Sequence, residues 1–218
     1  RGSDGSWHST VRVADFAYWR QHATAHEAMA TYGYSRSNLT GQSAPGFEDP
    51  ERIVTGTATD AFLRVLGVAP ALGRFFTPAE DLPGGPPVVV LSHGAWLRRY
   101  GGRRDILGET LTLDGTVRTI VGVMPAGLRL PGTFTCEAWV PAAYDVATNM
   151  QPGYDTRFDG DHVVARLKDG VSVARAETEV RLLATRLEQL LSRRTKAPQV
   201  RVVRLGDDLS EDNGSRLR

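Results

Sequence analysis

The sequence predicts an α+β protein in two lobes, and three observations carry that expectation. The stretch from Pro87 to Pro125 gathers a strand, a short helix and a hairpin into one run. The stretch from His162 to Leu205 reads strand, long helix, strand. Two tracts near residues 75–85 and 145–160 are rich in Pro, Gly and polar residues, the composition of a lobe boundary. With 218 residues the chain has room for one large domain or two small ones.

In chain order, residues 1–10 are Gly/Ser-rich and read as a loose lead-in. From Val13 the pattern turns helical through VADFAYWRQHATAHEAM, with Phe16, Trp19, Ala23 and His26 on one face at three- and four-residue steps. Asp15 caps this helix or sits in its first turn, where a negative charge is favourable. Thr31–Leu39 and residues 52–59 (RIVTGTAT) alternate as strands. DAFLRVLGV is a short helix with Phe62, Val65 and Leu66 apolar and Gly67 at its end, and residues 70–87 form a loop.

Val88 to Leu91 is a short β-branched run suited to a strand buried on both faces. Ser92 is placed to cap a helix whose apolar side is Trp96, Leu97 and Tyr100, and Gly101 and Gly102 stop it. Leu107–Leu113 and Thr116–Val123 then form a hairpin around Asp114-Gly115. A two-residue turn would set Leu111 opposite Arg118 and Thr112 opposite Val117, mixing apolar and polar residues on each face. A three-residue loop, Leu113 to Gly115, sets Leu111 opposite Val117 and Leu107 opposite Val121, and gives one cleaner face. The longer loop is therefore expected, with Gly115 at positive φ.

Residues 137–144 (EAWVPAAY) read as an edge strand whose pairing Pro141 ends. Residues 162–167 are a strand. Ser172 caps a helix over 172–194 whose stripe is Val173, Ala176, Val180, Leu183, Leu187 and Leu190. Glu177 and Glu179 lie towards its start and Arg193, Arg194 and Lys196 at its end, as the helix dipole favours, and Pro198 closes it. Residues 200–205 (VRVVRL) are a last strand, parallel to 162–167 through a right-handed crossover. The long helix is expected to pack on the N-terminal segment, which supplies unpaired strands, and not on the 88–125 lobe.

The composition, 41% hydrophobic and 23% charged, is that of an ordinary globular protein. A net charge of +1 with scattered Lys and Arg leaves no nucleic-acid footprint. The single cysteine, Cys136, permits no internal disulfide, and no run approaches the 18 apolar residues of a membrane span.

Candidate chemistry is sparse. His22 and His26 stand four apart, a spacing that can share a zinc ion, but nothing nearby supplies a third ligand. Ser92-His93 suggests a nucleophile, yet V-L-S-H-G lacks the first glycine of a nucleophile elbow. Glu80/Asp81 and Asp207/Asp208 are acidic pairs in polar loops and read as solvated charges, as do Arg98/Arg99 with Arg103/Arg104. Asn38-Leu39-Thr40 fits a glycosylation sequon. No G-x-G-x-x-G or Walker A loop indicates a nucleotide. The expected site set is empty: no catalytic, cofactor-binding or metal residue, no bound transition metal and no hydrolase activity.

Six segments taken together carry a resemblance: VADFAYWRQH, ERIVTGTATDAFLRVLGVAPALGRFFTPAED, PPVVVLSHGAWLRRYGG, ILGETLTLDGTVRTIVGVMPAG, WVP and HVVARLKDGVSVARAETEV. In this order, over most of residues 11–205, they resemble the extracytoplasmic core domain of MacB-like ABC transporter permeases, in particular the tandem, often orphan, branch. RGSDGSWHST departs from the strand that the family has after its first membrane helix. The resemblance implies an ectodomain lying between the first and second membrane helices of a bacterial inner-membrane permease and facing the periplasm or exterior.

It also implies a porter-like α/β lobe built from both chain ends, residues 11–78 and 150–206. An inserted mainly-β lobe covers 79–149, and 1–10 and 207–218 are membrane-proximal linkers. The implied partners are the permease's own transmembrane helices, an ATPase subunit acting through the membrane part, and a periplasmic adaptor or cargo. The implied role is coupling of membrane-helix movement to cargo or partner engagement in efflux, without cofactor or catalysis. The alternative is a free-standing extracytoplasmic hydrolase or metal-binding protein resting on Ser92/His93 or His22/His26.

Overall fold

The computed structural model describes residues 11–40, 50–130, 135–151, 160–191 and 200–207. Its elements run β1 (Val11–Arg12), α1 (Val13–His22), β2 (His26–Thr40), β3 (Glu51–Ala58), α2 (Phe62–Leu66), β4 (Leu72–Gly73), β5 (Val88–Leu91), α3 (His93–Tyr100), β6 (Thr110–Leu113), β7 (Thr116–Val123), β8 (Ala138–Pro141), α4 (Val146–Asn149), β9 (Gly160–Leu167) and α5 (Val173–Leu190). The α+β class stands. The chain divides into two compact units, 1–31 with 144–218, and 32–143. The first boundary therefore falls between Thr31 and Tyr32, not at 75–85, because β3 and α2 share their contacts with the later strands. The second falls just before the polar tract that marks it in the sequence.

The first unit holds a core of Phe16, Tyr18 and Trp19 from α1, Met29 from β2, and Val180, Ala184, Leu187 and Leu191 from the long helix. The helix thus packs on the N-terminal segment, as its apolar stripe requires. Ser172 caps it, its Oγ accepting from the Arg175 N–H at 3.2 Å. Its buried face is Ala176, Val180, Ala184, Leu187 and Glu188, while Leu190 is exposed. Arg193, Arg194, Lys196 and Pro198 lie outside the described residues.

Two expectations for this unit fail because side chains of α5 capture backbone groups elsewhere in the chain. The N-terminal helix stops at His22 and does not run on through Met29. Glu179 of α5 captures the chain there: the Thr24 N–H and Oγ1 donate to its Oε1, both at 2.7 Å, and the Ala25 N–H donates to its Oε2 at 2.9 Å. A carboxylate that takes two successive N–H groups replaces the helical acceptors and turns the backbone into β2. Residues 200–204 form no strand. The Val200 carbonyl accepts from Arg181 Nε at 2.8 Å and the Val202 N–H donates to Glu177 Oε2 at 2.9 Å, so side chains of α5 satisfy groups that a sheet would otherwise pair. Glu177 and Glu179 therefore serve these contacts and lie beyond the first turn of α5, where the dipole would favour them.

The second unit is a mixed sheet whose pairing returns to its start. The later part of β2 pairs with β3, β3 with β8, β8 with β5, β5 with β7, β7 with β6, and β6 again with β2 through Leu39↔Leu113 and Thr40↔Thr112. Closure removes open edges, which suits a unit of short strands. Its core is Leu39, Ile53, Val89, Leu91, Leu111, Leu113, Ile120, Val123 and Ala138, with Tyr100 and Ile106. All four residues of β5 are buried, as expected.

Strand β8 is not an edge. It lies between β3, parallel, and β5, antiparallel. Pro141 is tolerated because it is the last residue, beyond the two positions that pair with β5. On α3, Ser92 Oγ accepts from the Ala95 N–H at 3.1 Å and Gly101 takes a left-handed C-cap. The buried side is Ala95, Arg99 and Tyr100, and Leu97 is exposed, so the expected apolar face is turned by a position.

The hairpin takes the two-residue turn. Leu111 faces Arg118, Thr112 faces Val117 and Leu113 faces Thr116, with Asp114 at φ 49° and Gly115 at φ 77°. The first strand begins only at Thr110. The expected three-residue loop loses because Asp114 is bound elsewhere: its N–H donates to the Asn38 carbonyl at 2.9 Å and its Oδ1 accepts from the Asn38 N–H at 2.8 Å. Those bonds compensate an unusual left-handed aspartate. The mixed face is acceptable because Val117 is exposed and Arg118 is only half-buried.

Candidate functional site

The residues singled out in the sequence do not assemble. His22 ends α1, its Nδ1 2.9 Å from the Tyr18 carbonyl oxygen and its ring stacked on Tyr18 at 4.1 Å. His26 opens β2, so the two imidazoles share no helix face. The His26 side chain is buried, and burial lowers its pKa although Glu179 partly opposes this. Among the described residues no group of three or more His, Cys, Asp or Glu is arranged to hold a metal ion. Ser92 Oγ is engaged as a helix cap, and the His93 ring meets Trp96 edge-on at 5.4 Å. Asn38 sits within β2, its backbone tied to Asp114. Burial pushes the Cys136 thiol up to about 12, which makes it a poor nucleophile.

The charged residues expected to be solvated are mostly fasteners. Glu80 is buried and takes Arg74 in a two-point pair at 2.7 and 2.8 Å, plus the Thr77 N–H at 2.8 Å. The Arg74 hydrogen bond is the main cause that holds its carboxyl below the usual range, against burial. Asp81 accepts from the Asp60 N–H at 3.0 Å and the Ala143 N–H at 2.9 Å, pinning the loop before β5 to the end of β8. Arg99 is buried between Glu137 and Glu51, each at 2.8 Å, and Arg98 also reaches Glu137. Arg103 does stay half exposed, paired with Asp105 at 3.0 Å and with Glu109. The Asp207 N–H donates to the Arg204 carbonyl, and Asp208 lies outside the described residues.

A further cluster went unnoticed in the sequence. Arg12 bonds Asp15 at 2.5 and 3.0 Å and also Glu188, and both carboxylates are buried. Burial works against the Arg12 charge, but the two acids outweigh it and raise its pKa. The signal was available: Glu188 is four residues beyond Ala184, on the inner face of α5. These groups join elements to one another, which is the electrostatics of a scaffold.

Residues 2–183 match the family described as MacB-like periplasmic core domain. No curated protein matches the chain. Among solved structures, the extracellular domain of the noncanonic ABC-type transporter YknZ from Gram-positive bacteria aligns with a TM-score of 0.60 at 16% identity, covering 90% of each chain. The periplasmic region of MacB from Actinobacillus actinomycetemcomitans aligns at 0.59 and 16%, covering 88% of this chain and 81% of that one. A domain of a putative permease from Porphyromonas gingivalis aligns at 0.56 and 18%, covering 84% and 78%. The structural likenesses establish the fold, and the match over residues 2–183 establishes the family: the chain belongs to the MacB-like periplasmic core domains of ABC transporter permeases.

Proposed function

We propose that this domain is the extracytoplasmic coupling module of its permease, transmitting movement of the membrane helices to cargo or a partner protein outside the cytoplasmic membrane. The observation that carries this reading is the division of the chain. Residues 11–31 and the tail from Tyr144 share one core, while 32–143 closes on itself around another. In this reading the first unit is the porter-like lobe that receives force from the helices. The second presents a surface to cargo or a periplasmic adaptor, and ATP is hydrolysed by a separate subunit. No helix among the described residues is long and apolar enough to cross a membrane. The chemistry is a population shift between two arrangements of rigid bodies.

The test uses the whole permease with its ATPase in proteoliposomes. Cys136 is replaced by Ala, and spin labels are placed at two exposed positions, Val117→Cys on the hairpin and Arg186→Cys on α5. A label–label distance distribution that shifts between nucleotide-free and vanadate-trapped states is the expected result. Identical distributions in both states would contradict coupling.

A further inference from the structure

His26 is the one imidazole among the described residues whose burial leaves it an unmet need. Its side chain is 6% exposed and its Nδ1 is sealed from solvent without a hydrogen-bond partner. The nearest acid, Glu179 of α5, holds its Oε2 4.0 Å away, too far for a bond. Glu179 cannot easily come closer. Its Oε1 already takes the Thr24 N–H and Oγ1, and its Oε2 takes the Ala25 N–H. The same three bonds end α1 and launch β2, and the Ala25 carbonyl accepts from the Lys168 N–H at 3.0 Å, just after β9. One carboxylate and one imidazole therefore sit where α1, β2, β9 and α5 meet.

We propose that His26 is an acid-sensitive catch on this junction: neutral, it seals the start of β2 against α5, and protonated, it loosens that seal. A neutral ring accepts burial at modest cost, whereas a charged one needs water or a direct partner. The charged groups around it come from each packed element. Glu179 faces it from α5, and Glu27 follows it on β2 with an exposed side chain. His22 ends α1 with its Nδ1 on Tyr18, and Lys168 follows β9 with its side chain exposed. Of these, Glu179 alone acts on the ring, and its attraction is smaller than the effect of burial. Once protonated, the ring has two ways to recover a partner. It moves onto Glu179, competing with Thr24 and Ala25 for that carboxylate, or it turns out to water. Either loosens the junction.

The sign follows. The folded state binds the proton less readily than the unfolded chain, so stability is full above the ordinary imidazole range and falls as pH drops through it. Because this family is periplasmic, such a group meets the external pH. The experiment is an NMR titration of the histidine Cε1–H signals of the wild-type chain, assigned with His26→Gln, beside urea unfolding of both proteins at pH 7.5 and pH 5. His26 is expected to titrate below free imidazole. The folding constant of the wild type should fall more than that of His26→Gln on acidification, by about tenfold for each unit of displacement. A His26 that titrates at or above free imidazole overturns the proposal, whether or not the variant folds. So does an identical pH dependence for the two proteins.

Discussion

Replacing Gly122 by Ala is expected to cost the second unit about 3 kcal/mol or more, at the upper end of what overpacking does. A Cβ at this position would stand 2.1 Å from the Arg74 carbonyl oxygen and 3.0 Å from both the Arg74 carbonyl carbon and the Leu72 carbonyl oxygen. All three are backbone atoms of the β4 strip, which pairs Gly73 with Gly122 and Leu72 with Val123. A side chain would rotate away, but a paired backbone cannot. The strip must therefore leave β7, taking with it the bonds from Arg74 N–H to the Val121 carbonyl and Ala71 N–H to the Val123 carbonyl. Gly94→Ala is the matched control. That residue is exposed within α3 and its Cβ would meet only the tip of Arg98 at 3.5 Å, so helix propensity should make the change neutral or slightly stabilising. Urea unfolding of the two variants checks this. A midpoint for Gly122→Ala equal to that of the wild type would mean that β4 does not lie over β7.

Arg12→Met is the second large effect, expected to destabilise the first unit by about 3 kcal/mol at neutral pH, the lower end for removing one side of a buried ion cluster. Asp15 is 2% exposed and Glu188 4%, and both rely on the same guanidinium. Arg12 is itself 22% exposed, which moderates the loss. Without it, two buried carboxylates lose their shared counter-charge. Urea unfolding of the variant at neutral pH reads the loss. A loss under about 1 kcal/mol would remove the cluster from the account.

What the sequence made legible was whatever local chemistry decides. The Ser92 and Ser172 caps, the Gly101 stop, the buried run Val88–Leu91 and the Ala176, Val180 and Leu187 positions of the α5 stripe depend on neighbours within a few residues, and each is legible. The errors share one cause, a partner distant in the chain. Glu179 ends α1 from more than 150 residues away. Asn38 selects the short turn at Asp114, 76 residues on. Glu137 and Glu51, 38 and 48 positions away, make Arg99 a buried residue. Patterning that treats charge as exposure cannot see such pairs. The closing of β6 on β2 escaped for the same reason, since Leu39 and Leu113 alternate correctly but nothing local says that they meet. The empty site set is an expectation from incomplete spacing around His22/His26 and Ser92/His93; in the fold, His22 Nδ1 lies against the Tyr18 carbonyl and Ser92 Oγ caps α3.

The central claim is that both ends of the chain build one unit around a core of their own. It is tested most directly by replacing residues 32–143 with a short Gly/Ser linker. The cut ends are close, because Thr31 Oγ1 and the Tyr144 hydroxyl are 3.0 Å apart, so the linker need not strain either side. The remnant is expected to unfold cooperatively on heating and to protect backbone amides of α1 and α5 from hydrogen exchange, since Trp19, Val180 and Leu187 keep all their core partners. A remnant without a cooperative transition, whose α1 and α5 amides exchange like those of an unfolded chain, would contradict the claim and the coupling role built on it.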